Sequence, residues 1–386
     1  MLLIIPIVLF KIIFKPSLII RDKFLVFGII PFILFSTLSL SWTPTNSIAF
    51  GFNRLASLYE VMFVYVIFAV ADLNVLRFKS FIKYYLLSSL IPLGISFWQI
   101  ANNLYQFSSS ELPFQNLLIE DKYEVLRERF ALTAEGVSRI SSTFAEPSIF
   151  GSFMCSVLLL SLSLDAKNKL SMIALRIFQF MLFLCMVLSL SKLAILIFTV
   201  AIIVMLRKQK MYLISFISGF ILIVTISSSL LSYYNLDLIA KRFFIDTGHI
   251  VVIESTITEL ENINLMIGDG IGSIPALTTN KFLLSRIYEA GAIGLMFALY
   301  VSTLPLNILY MKVYTYEFNK LKNICVGVIF AVLFGLHAYD YFIYIWPWMV
   351  IGAIMSLRNN VKYKGSVKWR NSMVHCIPVE RQHIVY

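Results

Sequence analysis

Two segments bring ionisable side chains next to apolar stretches in spacings that suit chemistry. The first is Arg139-Ile-Ser-Ser-Thr-Phe-Ala-Glu-Pro-Ser-Ile-Phe-Gly151. Pro147 suits the first turn of a helix, where its missing N–H costs nothing, and this puts Glu146 at the positive N-terminal end. Glu146 therefore reads either as a capping carboxylate or as an acid or base working at that boundary. The second is Ile267-Gly-Asp-Gly-Ile-Gly-Ser-Ile-Pro275, followed by Thr279-Asn280-Lys281 and Tyr288-Glu-Ala-Gly-Ala-Ile-Gly-Leu295. Its glycines permit a tight turn or a close backbone approach. Glu289 opens an apolar run, and Arg286, three residues earlier, shares its helical face. The pair reads as a structural ion pair or as a second candidate proton acceptor. Phosphate-binding glycine loops, zinc spacings and nucleophile elbows are missing, which excludes a cytoplasmic ATPase. The histidines His249, His337, His375 and His383 are too scattered to predict a metal site.

The elements that position these residues follow from composition. Of 386 residues, 59% are hydrophobic and 14% charged, against about 25% charged in soluble domains. Apolar runs near the length that crosses the hydrocarbon core recur along the chain, and unbroken runs favour helices over barrel strands. The expectation is an all-α, polytopic transmembrane helix bundle of about eleven spans. They are placed at 2–14, 24–42, 55–71, 84–101, 148–164, 172–190, 192–206, 211–231, 288–311, 324–339 and 341–357. Charges inside the spans are read as few, Arg176 and Lys11 being the exceptions. Cys155, Cys185 and Cys325 fall in apolar runs and read as small hydrophobes. Met1–Phe14 lacks the features of a cleavable signal.

The net charge of +11 is spread over short loops and a C-terminal tail, which fits membrane topology and gives no reason to expect nucleic acid. Lys and Arg concentrate in alternate loops, and the tail 358–386 is basic. These biases predict a cytoplasmic tail, one transmembrane domain over 1–357, and two long extracytoplasmic loops, 102–147 and 232–287. Loops of that length are expected to be functional. Arg54, Arg139, Arg242 and Arg286 then lie on the outer side, joined by Arg127 and Arg129, which read as partners of local acids. Arginine binds phosphate oxygens bidentately, so the first four are candidate ligands for an anionic headgroup.

Taken together, the chain resembles the O-antigen ligase and O-antigen polymerase superfamily of bacterial surface-polysaccharide enzymes. The resemblance rests on the spans, the two outer loops, Arg139…Thr143-Phe144…Pro147…Gly151, the Leu188-Ser-Leu-Ser-Lys192 junction and Gly268-Asp-Gly-Ile-Gly272…Glu289-Ala-Gly291…Gly294. It implies about twelve spans in the bacterial inner membrane and a polyprenyl-pyrophosphate-linked glycan as substrate, with no cofactor and no metal. A chain-length regulator or a flippase would be a protein partner. Ligases of this kind carry a His just before the Asn of the second segment, where this chain has Thr279 before Asn280, so the resemblance points to the polymerase branch with ligase as the alternative. Where many members have an arginine early in the second loop, this chain has His249. The expected roles are Glu146 or Glu289 as proton acceptor, and Arg139, Arg54, Arg242, Arg286 and Asn280 as substrate ligands. A flippase for the same lipid-linked glycan is the rival from another class; it calls for polar residues within the spans and related halves.

Overall fold

A computed structural model describes residues 22–105 apart from 24 and 72, then 142, 144, 147–165, 168–189, 191–206, 266–271, 282–309, 316–338 and 344–374. The expected spans 2–14 and 211–231 lie outside these residues, as does most of both long loops. Among the described residues the fold is all-helical. Four helical stretches are long and apolar enough to cross a membrane: Leu25–Trp42, Ile48–Ala69, Val75–Gln99 and Lys169–Leu188.

A π-helical turn, Leu25–Ile29, leads into α1 (Ile30–Ser39) and a 3-10 turn, Leu40–Trp42. Next come α2 (Ile48–Ala69), α3 (Val75–Ser88) and α4 (Leu90–Tyr105). The expected span 84–101 is thus broken at Ser89, where Pro92 falls in the first turn of α4 and cannot donate back. The chain continues with α5 (Pro147–Ser161), α6 (Lys169–Leu188) and α7 (Lys192–Leu206). It ends in α8 (Phe282–Ser302), α9 (Leu304–Leu309), α10 (Tyr316–Ala338) and α11 (Ile345–Val374). Helix α2 starts before the expected 55, and α8 before 288, each taking its arginine inside the helix.

Helix α5 is the centre of the bundle. Every described side chain from Ser148 to Ser161 is buried, against α6, α7, α10 and α3. Its serines cause no loss of hydrogen bonding, because Ser152 and Ser156 donate back to the carbonyls of Ser148 and Phe153. Small residues let neighbours come close. A Cβ at Gly151 would lie 2.6 Å from Ser189 Oγ and 2.7 Å from Ala194 Cβ. Two separated sequence features, the Gly151 segment and the 188–192 junction, therefore form one contact.

Helices α2 and α8 run in the same direction, tied at both ends. At one end Arg54 meets Glu289. At the other, the Tyr65 hydroxyl donates to Asp22 Oδ2 at 2.5 Å, and Tyr300 donates to the neighbouring Lys23 carbonyl at 3.1 Å. On α2 these ties are about 16 Å apart, eleven residues at helical rise. Helix α1 runs antiparallel between them.

Candidate functional site

Helix α8 is broken at Gly291, whose φ of 53° and ψ of −134° are not helical. Such a break frees the Tyr288 carbonyl and the Ala292 N–H, which would otherwise bond to each other. Both are taken up by the glycine-rich turn 266–271. The Asp269 N–H donates to the Tyr288 carbonyl at 2.8 Å, and the Ala292 N–H donates to the Met266 carbonyl at 3.3 Å. Gly268 makes this docking possible. Its φ is +70°, and a Cβ there would lie 2.6 Å from the Tyr288 carbonyl oxygen. The far side of the turn is held by the end of α1: the Ile271 N–H donates to Ser39 Oγ at 3.1 Å, and the Thr43 hydroxyl donates to the Ile271 carbonyl at 3.1 Å. The spacing that read only as a permissive turn is a backbone splice into a discontinuous helix, an arrangement that membrane proteins use around ligand and ion sites.

One turn before the break stand the ionisable residues. Glu289 Oε1 receives Arg54 Nε at 3.0 Å, and Glu289 Oε2 lies 2.7 Å from Arg286 Nη1. The expected local pair of Arg286 and Glu289 is present, and Arg54 joins it from a helix 235 residues away in sequence. Ser285 Oγ bridges the two cations, accepting from Arg54 Nη2 at 3.3 Å and from Arg286 Nη2 at 2.9 Å. The Arg286 guanidinium also lies over the Phe32 ring, 5.7 Å from its centroid, close enough for a cation–π contribution. Phe32 is itself stacked on Phe297 at 4.1 Å.

Exposure separates the roles of these residues. The side chains of Arg286 and Glu289 are 0% and 1% exposed, whereas Arg54 is 10% exposed. Arg54 is the member that reaches the edge. Glu289, with each oxygen held by a guanidinium and only 1% exposed, is placed to orient arginines and not to meet a proton from outside. Of the residues singled out in the sequence, the structure brings together Arg54, Arg286 and Glu289. Arg139, Glu146, Arg242 and Asn280 lie outside the described residues. Ser142 and Phe144, from the segment that carries Arg139 and Glu146, are described. The Ser142 N–H donates to Gln99 Oε1 at 2.9 Å and its hydroxyl to the Pro92 carbonyl, fastening that segment to α4.

Sequence reasoning missed Ser285 and Phe32, which carry no signal of their own. It also missed Glu60, an exposed carboxylate in the middle of α2, which corrects the reading that only Arg176 and Lys11 are charged inside spans. The signal was a lone acid within a long apolar run. Among the described residues no group of three or more His, Cys, Asp or Glu is placed to hold a metal. Comparison of the chain with protein-family models, with curated proteins and with solved structures found no match in any of the three.

Proposed function

We propose that the chain is a multi-pass protein of the bacterial inner membrane with about eleven or twelve spans, a cytoplasmic C-terminus and its active face outside. Its activity is that of an oligosaccharide repeat-unit polymerase. The acceptor hydroxyl oxygen of one lipid-linked repeat unit attacks the anomeric carbon of another. The bond from that carbon to the pyrophosphate oxygen breaks, the hydroxyl proton passes to a carboxylate, and polyprenyl pyrophosphate leaves.

The observation that carries this reading is the convergence of Arg54 and Arg286 on Glu289 beside a broken helix. Guanidiniums fixed in place before the reaction stabilise charge as it develops on a leaving pyrophosphate, because no reorganisation is needed at that moment. Arg54 contacts the pyrophosphate, and Arg286 with Glu289 positions it. Arg139, Arg242 and Asn280 supply further ligands from the outer segments. Glu146 is the proton acceptor, since Glu289 is engaged by both arginines.

The test is reconstitution of the purified protein into liposomes with polyprenyl-pyrophosphate-linked repeat unit and no nucleotide sugar. Oligomers of the repeat unit, lost in Arg54→Ala, are expected; folded protein that forms none would refute the proposal. A second reading, a flippase for the same lipid, is favoured by Glu60 and by the discontinuous α8, both of which are features of transporters. Movement of labelled lipid-linked glycan across the liposome bilayer without oligomer formation would select it.

A further inference from the structure

Arg176 is a charge inside a span that glycan transfer leaves without a task. It stands in α6, whose 20 residues match the thickness of the hydrocarbon core. Counted from Lys169 at the start of the helix, Arg176 is about 10 Å in at helical rise. Of the four helical stretches long enough to cross, α6 is the least covered by protein: 22% of its apolar window is buried, against 33% or more in the others. From Lys169 to Phe178 no side chain is buried, so in a bilayer this half of the helix meets lipid.

A cation at that depth is costly unless an anion or the headgroup layer compensates it, and long basic side chains reach outward for that compensation. The described protein does not provide it. Gln179, 7% exposed and the first buried residue of α6, accepts from Arg176 Nη1 at 3.0 Å. A neutral acceptor fixes the guanidinium and leaves its charge uncancelled. No carboxylate pairs with Arg176 among the described residues. The nearest acid in sequence, Asp165, is held by Lys320 at 3.3 Å and by Lys79 at 3.5 Å.

Lys169 gives the unmet charge a second member. Seven residues span nearly two whole turns, so Lys169 and Arg176 lie on one stripe of the helix, and both are exposed. Met172 and Ile173 flank the stripe between them, and Phe180 continues it inward; they are 48%, 47% and 64% exposed. Cations at the outer end of an apolar, lipid-facing stripe match an amphiphile whose anion sits at the interface and whose chains run inward. Lys79 and Lys320 raise the positive field at the same end, where basic clusters attract anionic headgroups. A zwitterionic headgroup would bring an ammonium into that field and be disfavoured.

We infer that Lys169 and Arg176 form a binding site for the phosphate of an anionic phospholipid, with its acyl chains along Met172, Ile173 and Phe180. The site lies in the leaflet on the Asp165 side, the one proposed to be cytoplasmic. It rests on the membrane reading alone and is independent of glycan transfer.

The experiment places the full chain in phosphatidylcholine nanodiscs with a trace of photoreactive lipid, either phosphatidylglycerol or phosphatidylcholine, each with the same diazirine near the glycerol end of one chain. Adducts are mapped by peptide mass spectrometry, and label in 169–180 is divided by label in 296–299, where Met296 and Leu299 are exposed on α8. This ratio should be several-fold higher for phosphatidylglycerol. Arg176→Gln and Lys169→Gln should each lower the excess by about fivefold, the effect of one basic residue near an anionic surface, with elution and reference label unchanged. Lys169, at the exposed end of the helix, keeps the test open if Arg176→Gln does not fold. Equal ratios for the two lipids, or an excess that survives either substitution, overturns the inference. So does a segment 169–180 that neither lipid labels, because this face is then covered by protein. Oligomer formation has no part in the readout, so failure here leaves the proposed transfer standing, and failure of the transfer leaves this site standing.

Discussion

Replacing Glu289 by Gln keeps the shape of the side chain and removes the charge that two arginines share. At an effective dielectric near 20, the contacts at 2.7 Å and 3.0 Å correspond to gross attractions of about 6 and 5.5 kcal/mol before desolvation is subtracted. Burying the three groups offsets most of that gain. Breaking the cluster is another matter, because it strands a cation that water cannot reach, Arg286 at 0% exposed, while Arg54 at 10% keeps an edge in contact with water. Removing one partner of a buried pair costs about 3–5 kcal/mol. The expected result is a fall of well over tenfold in the half-life of monodisperse protein during heating in detergent. Adding Arg286→Met to Glu289→Gln removes the stranded cation and should recover part of the loss. Equal half-lives for Glu289→Gln and the parent would refute the argument, since they would mean that the arginines do not depend on this carboxylate. Rate against pH separates positioning from proton transfer. A positioning Glu289 leaves the residual activity of Glu289→Gln with the parent's acidic limb, whereas a proton acceptor takes that limb with it.

Gly268→Ala should prevent the turn from docking, since the new Cβ meets the α8 backbone at 2.6 Å in a positive-φ conformation; a folded yield equal to the parent's would contradict this. Gly151→Ala should lower thermal stability by about 1–3 kcal/mol through overpacking against Ser189 and Ala194, and Ser189→Gly in the same chain should restore only part of it, because Ala194 Cβ still lies 2.7 Å from the new Cβ. Burial is the largest single influence on Asp165 and raises it, but the hydrogen bond and charge of Lys320 and those of Lys79 together outweigh this and hold its carboxyl below the usual value. Its contribution is therefore present above the ordinary carboxylate range and is lost as pH falls through the lowered value. With the side chain 66% exposed, it amounts to less than about 1 kcal/mol, so melting curves of the parent and Asp165→Asn should differ slightly at neutral pH and converge in acid.

The helices were legible because apolar runs of membrane length have few other uses, and the spans at 24–42, 172–190 and 192–206 nearly coincide with described helices. The misplaced starts of α2 and α8 share one cause. The expected spans begin at 55 and 288, next to Arg54 and Glu289, whereas charges that satisfy one another do not end a helix. The Arg286–Glu289 spacing was local and therefore visible. Its third member was not, because no periodicity in one chain links Arg54 to a residue 235 positions later. Glu60 had a visible signal that went unused.

The glycine segment shows how far local reading extends. Its composition predicted a turn, but not that the turn would supply the two hydrogen bonds that α8 gives up at Gly291. That exchange explains why ionic residues and glycines occur together here. An unbroken α8 would need nothing from the loop; a broken one needs a backbone partner that approaches without side chains, which Gly268 provides. The turn is in turn fixed by Ser39 and Thr43 on the α1 side, so the loop end, the break and the Arg54–Glu289 tie form one connected unit. A change at Gly268 should therefore disturb Arg54 without touching it. If Gly268→Ala folds and oligomers still form at the parent's rate, the ionic cluster does not depend on the splice, and the two must be treated as independent features.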